Sequence, residues 1–465
     1  MKEDLNLNVK ETKGKKADVR LILDKEFDKG EQAYALRVNE RGVVITASSQ
    51  AGLFYGIQTL RQLANKGLTG EVTVPCVDID DCPRFKWRAM LLDEARTFQG
   101  KEIVKQLIRE MSMLKMNKLQ WHLTDDQGWR IEIKKYPLLT SVNTELTLSE
   151  EVSESQKKGY YTQEEIEEIV RYAQRFHVTI VPEIEMPGHA SAAIAAYPWL
   201  GVNKEQIQIP VKEKPVKVTS IHLDIFDLSD QRTITFLEDV LDEVGGLFPG
   251  KIIHIGGDEV NFSQCKNSTA VADFMKKQHF DAPAELQRWL TNSMSVFLSN
   301  KGIRMMGWND IMGQNIHGYA DNTDGDYAIK KELDPKTIVH FWKGDSVLIG
   351  EAVSKGFDVV NAYHVFTYID YDYNAIPLEK SYSFDLMPSG LPVSLYSKIL
   401  GLSCQMWGGS VCTIETHEKR YKQIFPRLAA YAEVGWTFNE NKDWIRFSFN
   451  VDILKEGWKK LGIVL

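Results

Sequence analysis

The sequence predicts a (β/α)8 barrel over residues 84–465, preceded by a small α+β domain over residues 1–83. Three observations carry this. Beyond Pro83, eight short apolar runs alternate with longer stretches of helical periodicity, the texture of parallel strands buried on both faces by crossover helices. The chain of 465 residues is long enough for such a barrel and one smaller unit. Acids, aromatics, one histidine and one arginine then recur where the runs stop, which in a barrel is the face that gathers all the strand-to-helix loops.

In the first unit, residues 18–26 and 34–48 carry strand patterning, with a turn at Asn39-Glu40-Arg41-Gly42. Ser49 is the predicted cap of a helix whose apolar side is Leu53, Ile57, Leu60 and Ala64 and which stops at Gly67. A helix on a few strands is a packing module, and it contains no catalytic candidate.

In the second unit the apolar runs are residues 87–92, 118–123, 178–184, 251–255, 303–308, 337–342, 357–362 and 402–407. Helical segments at 101–116, 162–177, 229–247 and 284–301 separate the earlier runs, while the sixth and seventh connections are short. Asp93 to Arg96 follow the first run, and Asp125 and Asp126 the second. Glu183, Glu185 and His189 close the third, and Asp258 and Glu259 the fourth. Trp308, Trp342, Tyr368 with Asp370, and Trp407 mark the other four.

Composition narrows the function. Net charge is −8 with both signs mixed along the chain, against the concentrated basic face that nucleic acid requires. No run approaches the roughly 18 apolar residues of a membrane span. The start, Met1-Lys2-Glu3-Asp4-Leu5, lacks the apolar core of a secretory signal, the expectation being a cytoplasmic or an already processed chain. Five scattered cysteines, Cys76, Cys82, Cys265, Cys404 and Cys412, argue against a disulfide framework, although Cys76 and Cys82 are close enough in sequence to pair. No zinc spacing and no cofactor motif is present.

Carboxylates with aromatic platforms, and neither metal nor cofactor motif, point to carbohydrate chemistry. Glycosidic cleavage needs an acid to protonate the leaving oxygen and a second group to stabilise positive charge at the anomeric carbon. Aromatic faces stack on sugar rings and exclude water. The sharpest local signal is His254-Ile255-Gly256-Gly257-Asp258-Glu259. Two glycines allow a tight turn directly off a strand, and the loop lets two neighbouring carboxylates enter one pocket. Their mutual repulsion favours keeping one protonated near neutrality. Taken alone, the motif reads equally as a Gly-Gly turn with a solvated acid pair.

Several blocks remove that ambiguity. They are Arg84-Phe85-Lys86-Trp87-Arg88, Leu92-Asp93 through Arg96-Thr97-Phe98, Trp121-His122-Leu123-Thr124-Asp125-Asp126-Gln127-Gly128-Trp129-Arg130, Pro182-Glu183-Ile184-Glu185-Met186-Pro187-Gly188-His189, the 254–259 block, Gly307-Trp308, Gln405-Met406-Trp407 and Pro426-Arg427-Leu428-Ala429. In this order, and across nearly the whole chain, they resemble the family-20 glycoside hydrolases, the β-N-acetylhexosaminidases. The resemblance implies a barrel behind a small α+β domain, here short at its start. It also implies a retaining exo-enzyme that removes terminal β-linked N-acetylhexosamine from glycans, without a cofactor or metal. Such enzymes are exported or lysosomal, in contrast to the start of this chain.

By the same resemblance Glu259 is the general acid/base, and Asp258 orients the substrate's acetamido group, whose carbonyl oxygen is the nucleophile. Tyr368 bonds that oxygen. Trp308, Trp342 and Trp407 wall the acetamide pocket, Arg96 and Asp370 hold ring hydroxyls, and Asp125 and His189 tune the acid. The sequence departs from the family at Gly409, where a hydroxyl-binding glutamate is usual, and at Phe384, in place of a further pocket tryptophan. Thr97 replaces a frequent histidine, and Asn261-Phe262-Ser263 replace a downstream tryptophan. These changes imply intact chemistry on a substrate substituted or branched at O4 or O6, and they leave the gluco or galacto preference open. Two other readings remain at this level: a barrel glycosidase using two protein carboxylates, and a non-catalytic sugar-binding protein.

Overall fold

The computed structural model describes residues 17–66, 71–143, 153–209, 224–313, 333–408 and 417–460, together with residues 10, 12 and 463. The small domain is a sheet of β1 (Val19–Leu23), β2 (Tyr34–Asn39), β3 (Gly42–Ala47) and β4 (Val77–Asp81), in the order β1-β3-β2-β4. Strand β1 runs parallel to β3, and the other pairs are antiparallel. Helix α1 (Gln50–Leu63) begins where expected. The Ser49 hydroxyl accepts from the Gly52 N–H at 3.1 Å, satisfying one of the donors that a first turn leaves open. The helix ends sooner than expected, because Ala64 turns extended and Asn65–Lys66 pair with Val72–Thr73. Gly67 lies outside the described residues.

The eight apolar runs form one closed parallel barrel in sequential order: β5 (Trp87–Asp93), β6 (Lys118–His122), β7 (Thr179–Glu183), β8 (Ile252–His254), β9 (Arg304–Trp308), β10 (Ile338–Phe341), β11 (Asp358–Asn361) and β12 (Ile399–Met406). Closure comes from β12 pairing with β5, Gly401 opposite Trp87 and Met406 opposite Leu92. The main outer helices are α2 (Lys101–Met113), α3 (Gln163–Arg175), α4 (Gln231–Leu247), α5 (Ala284–Asn300), α6 (Val347–Ser354), α7 (Arg427–Trp436) and α8 (Trp444–Lys460). Helix α3 opens with a capping box, in which Thr162 bonds the Glu165 N–H and Glu165 bonds back.

The small domain packs against the N-terminal end of the barrel. Trp436, from α7, joins Tyr34, Leu36, Ile45, Tyr55 and Leu60 in a core shared by both domains. Its indole N–H donates to Asp81 Oδ1 at 2.9 Å, while Lys115 lies 4.2 Å and Arg88 4.9 Å from its ring. A cavity of about 400 Å³ remains at this end, lined by Gln32, Tyr55, Asn117, Lys118 and Thr179 among others.

Cys76 and Cys82 are free, so the pairing left open by the sequence is not made. Cys265 and Cys404 are buried and free, and Cys412 lies outside the described residues. Among the described residues no helix is long and apolar enough to cross a membrane.

Candidate active site

The C-terminal rim is organised around the turn after β8. Gly256 and Gly257 adopt φ of 64° and 88°, the left-handed region that glycine enters without steric cost. Space enforces the same choice. A Cβ on Gly256 would sit 1.7 Å from Glu185 Oε2, and one on Gly257 2.7 Å from Ile311 Cγ2. The turn is clamped by Trp308 N–H on the Gly256 carbonyl at 2.9 Å and by Gln287 Nε2 on the Gly257 carbonyl at 2.6 Å. Glu259 itself has φ of 51°, a strained setting for a residue with a side chain, and its N–H donates to Asp310 Oδ1 at 3.2 Å. Strain held by surrounding bonds aims a side chain, and here Asp258 and Glu259 both turn to the rim. One oxygen of each lies with a nitrogen of His189 inside a cluster whose atoms are all within 4.8 Å of one another. The Glu259 side chain is 31% exposed and that of Asp258 15%. Glu259 is thus the more open to an incoming group.

A buried ionic chain backs this pair. Arg96 Nη2 bonds Asp125 Oδ2 at 2.7 Å, and Asp125 Oδ1 lies 3.2 Å from His189 Nδ1. His189 Nε2 is then 3.7 Å from Asp258 and 3.8 Å from Glu259. Burial opposes charge on Asp125, but the guanidinium of Arg96 and then His189 hold its carboxyl well below the usual range. Burial likewise opposes charge on His189, and Asp125 outweighs it, so the ring titrates well above an ordinary histidine. His122 sits between Asp125 (2.8 Å) and Glu183 (3.0 Å). Against burial, Glu183 foremost holds it at about 10. Asp258 behaves oppositely. Burial pushes its carboxyl up to about 7, with Asp310 and Glu259 adding to the rise and His189 opposing it. Glu185 is also driven well above its usual range by burial and by the Asp258 charge.

The other half of the rim is aromatic. Trp308, Trp342, Tyr368 and Trp407 form one cluster with Leu91 and Ala362. Trp342 and Tyr368 are nearly parallel, 9° apart with centroids at 5.9 Å. Trp407 meets Trp308 at 5.9 Å and Tyr368 at 6.0 Å. Polar bonds fix the walls: Trp308 Nε1 donates to Glu183 at 2.8 Å, and Trp342 Nε1 to Asp310 at 2.9 Å. Arg96 stands 5.2 Å from the Trp407 ring, linking the ionic chain to the cage. Asp370, 2% exposed, has both oxygens buried without a hydrogen-bond partner, and burial pushes its carboxyl up to about 7. One oxygen of Asp258 is likewise unpartnered. Buried acceptors without donors are costly unless a ligand supplies them.

Arg427 positions the loop after β11. Its guanidinium donates to the carbonyls of Ile369 (2.6 Å), Tyr371 (2.9 Å) and Ile376 (3.1 Å), bracketing Tyr368 and Asp370. The Ile369 N–H and Thr367 hydroxyl bond Gln405 on β12, each at 2.9 Å.

All ten residues singled out from the sequence therefore lie on this one rim: Arg96, Asp125, His189, Asp258, Glu259, Trp308, Trp342, Tyr368, Asp370 and Trp407. Phe384 does not. It is buried in the main core against Phe366, centroids 5.5 Å apart, outside the aromatic cage. It directly follows a short helix (Leu378–Ser383) and takes no part in the aromatic cluster of the rim. Gly409 lies outside the described residues. Gly408 before it donates its N–H to Asp93 at 2.8 Å. Sequence reasoning passed over His122, Asp310 and Arg427, which hold the site residues in place. A signal was available for His122: it is a polar residue in an apolar run, two positions beyond Gln120 on the inward face. Three overlapping acid–histidine sets, 122/125/185, 125/126/189 and 189/258/259, have donor spacing compatible with a metal ion, and in each the histidine already pairs with a carboxylate.

The model described as "Glycosyl hydrolase family 20, catalytic domain" matches residues 85–439, and that of "Glycosyl hydrolase family 20, domain 2" matches residues 1–82. The chain belongs to glycosyl hydrolase family 20. A β-hexosaminidase of Porphyromonas gingivalis is 36% identical over 439 residues, covering 91% of this chain and 53% of that protein. One from Vibrio furnissii is 34% identical, covering 90% and 67% respectively. This family-20 chain thus spans about half to two thirds of the length of these relatives. Among solved structures, a β-N-acetylhexosaminidase from Bacteroides fragilis superposes with a TM-score of 0.79 at 29% identity, over 96% of this chain and 84% of the other. An exo-β-N-acetylglucosaminidase from Vibrio harveyi in complex with N-acetylglucosamine gives 0.80 at 29%, over 96% and 69%.

Proposed function

We propose that the protein is a retaining exo-β-N-acetylhexosaminidase in which the substrate's own acetamido group is the nucleophile. One observation carries the reading: a cage of Trp308, Trp342, Tyr368 and Trp407 stands beside an acid pair of which Asp258 keeps a buried, unpartnered oxygen. In this reading the acetamido methyl packs among Trp308, Trp342 and Trp407, and the Tyr368 hydroxyl donates to the acetamido carbonyl oxygen. Asp258 accepts the acetamido N–H, turning the carbonyl oxygen toward the anomeric carbon. That oxygen attacks as Glu259 protonates the departing glycosidic oxygen, giving an oxazolinium ion. Glu259 then removes a proton from water, which opens the ring from the same face as the departed group and retains configuration. The tethered nucleophile supplies effective molarity, and the Asp258 carboxylate stabilises the developing cation. The family is one of the substrate-assisted exceptions to the two-carboxylate scheme. Arg96 and Asp370 supply a donor and an acceptor for ring hydroxyls. Asp125 and His189 hold a positive imidazolium against the acid pair.

The substrate class is a glycan ending in a β-linked 2-acetamido hexose. Gly409 in place of a glutamate supports substitution at O4 or O6, and a panel of gluco, galacto and 6-sulfo aryl glycosides tests that point. An ordinary gluco preference at full efficiency removes it.

The activity itself is tested by comparing an aryl 2-acetamido-2-deoxy-β-glucoside with the plain aryl β-glucoside. A loss of several orders of magnitude in kcat/KM on the second is expected, because its nucleophile is missing. Comparable rates on both would overturn the mechanism in favour of two protein carboxylates.

A further inference from the structure

The cavity of about 400 Å³ at the N-terminal end of the barrel lies between the two domains. The small domain supplies Glu31, Gln32, Ala51 and Tyr55 to its wall, and the barrel supplies Lys118, Thr179 and Phe248 among others. None of the rim residues borders it. Its volume falls within the range of small-molecule sites, about 300–1,000 Å³.

Strand alternation decides what points into it. Gln120 on β6 faces the barrel interior, so Lys118, two residues earlier, faces inward as well. On β7 the same alternation, counted back from Glu183 and Val181, brings Thr179 inward. Lys118 and Thr179 are neighbours across the ladder, and the ammonium donates to the Thr179 hydroxyl at 3.0 Å. It also stands 5.4 Å from the centre of the Trp87 ring. Because Thr179 accepts from the ammonium, its own O–H remains a donor. Lys118 keeps two further N–H groups. A pair of donor atoms 3.0 Å apart matches the two oxygens of one carboxylate.

Positive charge is in excess around this point. The fully buried Arg88 guanidinium donates to neutral acceptors, the carbonyls of Lys115 (2.8 Å) and Phe85 (2.6 Å) and the side-chain oxygen of Gln32 (2.7 Å). Burial and the Arg88 charge push the Lys118 amine down to about 8. Among the described residues the acid whose field opposes that fall is Glu31, which is itself exposed. Cations buried without a carboxylate are costly, and an anion entering from solution offsets the cost. The body of that anion meets Tyr55, Val170, Val178 and Phe248, which give the cavity an apolar wall.

We propose that this interdomain cavity binds a small carboxylic acid with an apolar body, its carboxylate on Lys118 and Thr179 and its body against Tyr55, Val178 and Phe248. The wall belongs to both domains, so the ligand fastens the small domain to the barrel. It lies at the end opposite the rim and does not compete with the glycan.

The full chain is titrated with benzoate, phenylacetate and hexanoate at constant ionic strength, by calorimetry and by thermal unfolding. Benzamide serves as the neutral counterpart of benzoate. At least one acid is expected to bind with a Kd of about 1 mM. At about tenfold that concentration it should raise the thermal midpoint by about 2 °C, with no rise from benzamide. Binding needs the charged amine, so affinity should hold below pH about 8 and fall about tenfold per unit above it. Lys118→Met keeps the stem and removes the charge, and should weaken binding at least tenfold. Ala51→Leu fills the cavity from the small domain and should do the same with the amine intact. An unchanged near-ultraviolet circular dichroism spectrum shows that each variant is folded. No binding of any of the three acids overturns the proposal, as does equal binding of benzamide or acid binding that survives either substitution.

Discussion

The two ends of the barrel differ by two residues along the same strands. Inward-facing positions near the N-terminal end are Ala89, Val181, Ile252, Met306, Ile338 and Val360, which pack with Trp87 into an apolar plug. Two residues further, on the same inward face, stand Leu91, Glu183, His254, Trp308, His340 and Ala362. Two further still on β5 comes Asp93, and just beyond β10 comes Trp342. One end packs apolar side chains in the barrel interior, with the cavity lined by Lys118 and Asn117 beside them. The other holds buried carboxylates, imidazoles and unpartnered acceptors that would destabilise any fold without a ligand or a counter-charge. The barrel is held by one end and works with the other.

Substitutions at the two ends should separate stability from turnover. Glu259→Gln should lower kcat on substrates with poor leaving groups about 10³-fold while leaving the thermal midpoint unchanged. Turnover intact in that variant would remove the acid from the account. Asp370→Asn probes the cost of buried charge. Burial raises the carboxyl from 3.8 to about 7, so the folded state holds its proton over that window and wild-type stability falls as pH rises through it. The asparagine variant should escape this fall and gain on wild type between pH 4 and 7 by up to about 4 kcal/mol. Parallel urea-unfolding curves across that range would contradict it.

Ile338→Ala, in the plug, should cost about 3 kcal/mol of stability by leaving a cavity, with kcat/KM per folded molecule unchanged. A loss of turnover there would couple the two ends. The smallest effect concerns Asp258, which in the proposed mechanism must be ionised to accept the acetamido N–H. Its carboxyl is pushed up to about 7, so kcat/KM should fall about tenfold per unit below that pH. Asp258→Asn should lower the rate and flatten that limb.

The same contrast explains what was legible in the sequence. The plug end is continuous apolar sequence, and all eight strands and the helices α2 to α5 lie within a few residues of their expected positions. Asp258 and Glu259 were visible because glycine must precede them where the backbone turns left-handed. His122 carried a local signal, a polar residue in an apolar run, whereas Asp310 and Arg427 act through contacts between distant elements, such as Arg427 to Ile369, which no local pattern announces. Phe384 misled for the complementary reason: an aromatic residue near an expected wall position fills core as readily as it lines a pocket.

In the proposed mechanism the substrate's acetamido oxygen attacks the anomeric carbon. Aryl glycosides bearing acetyl, fluoroacetyl, difluoroacetyl and trifluoroacetyl groups on the 2-amino nitrogen grade the electron density on that oxygen without changing the leaving group. The mechanism predicts that kcat/KM falls steadily with each fluorine. A rate independent of fluorination would contradict it.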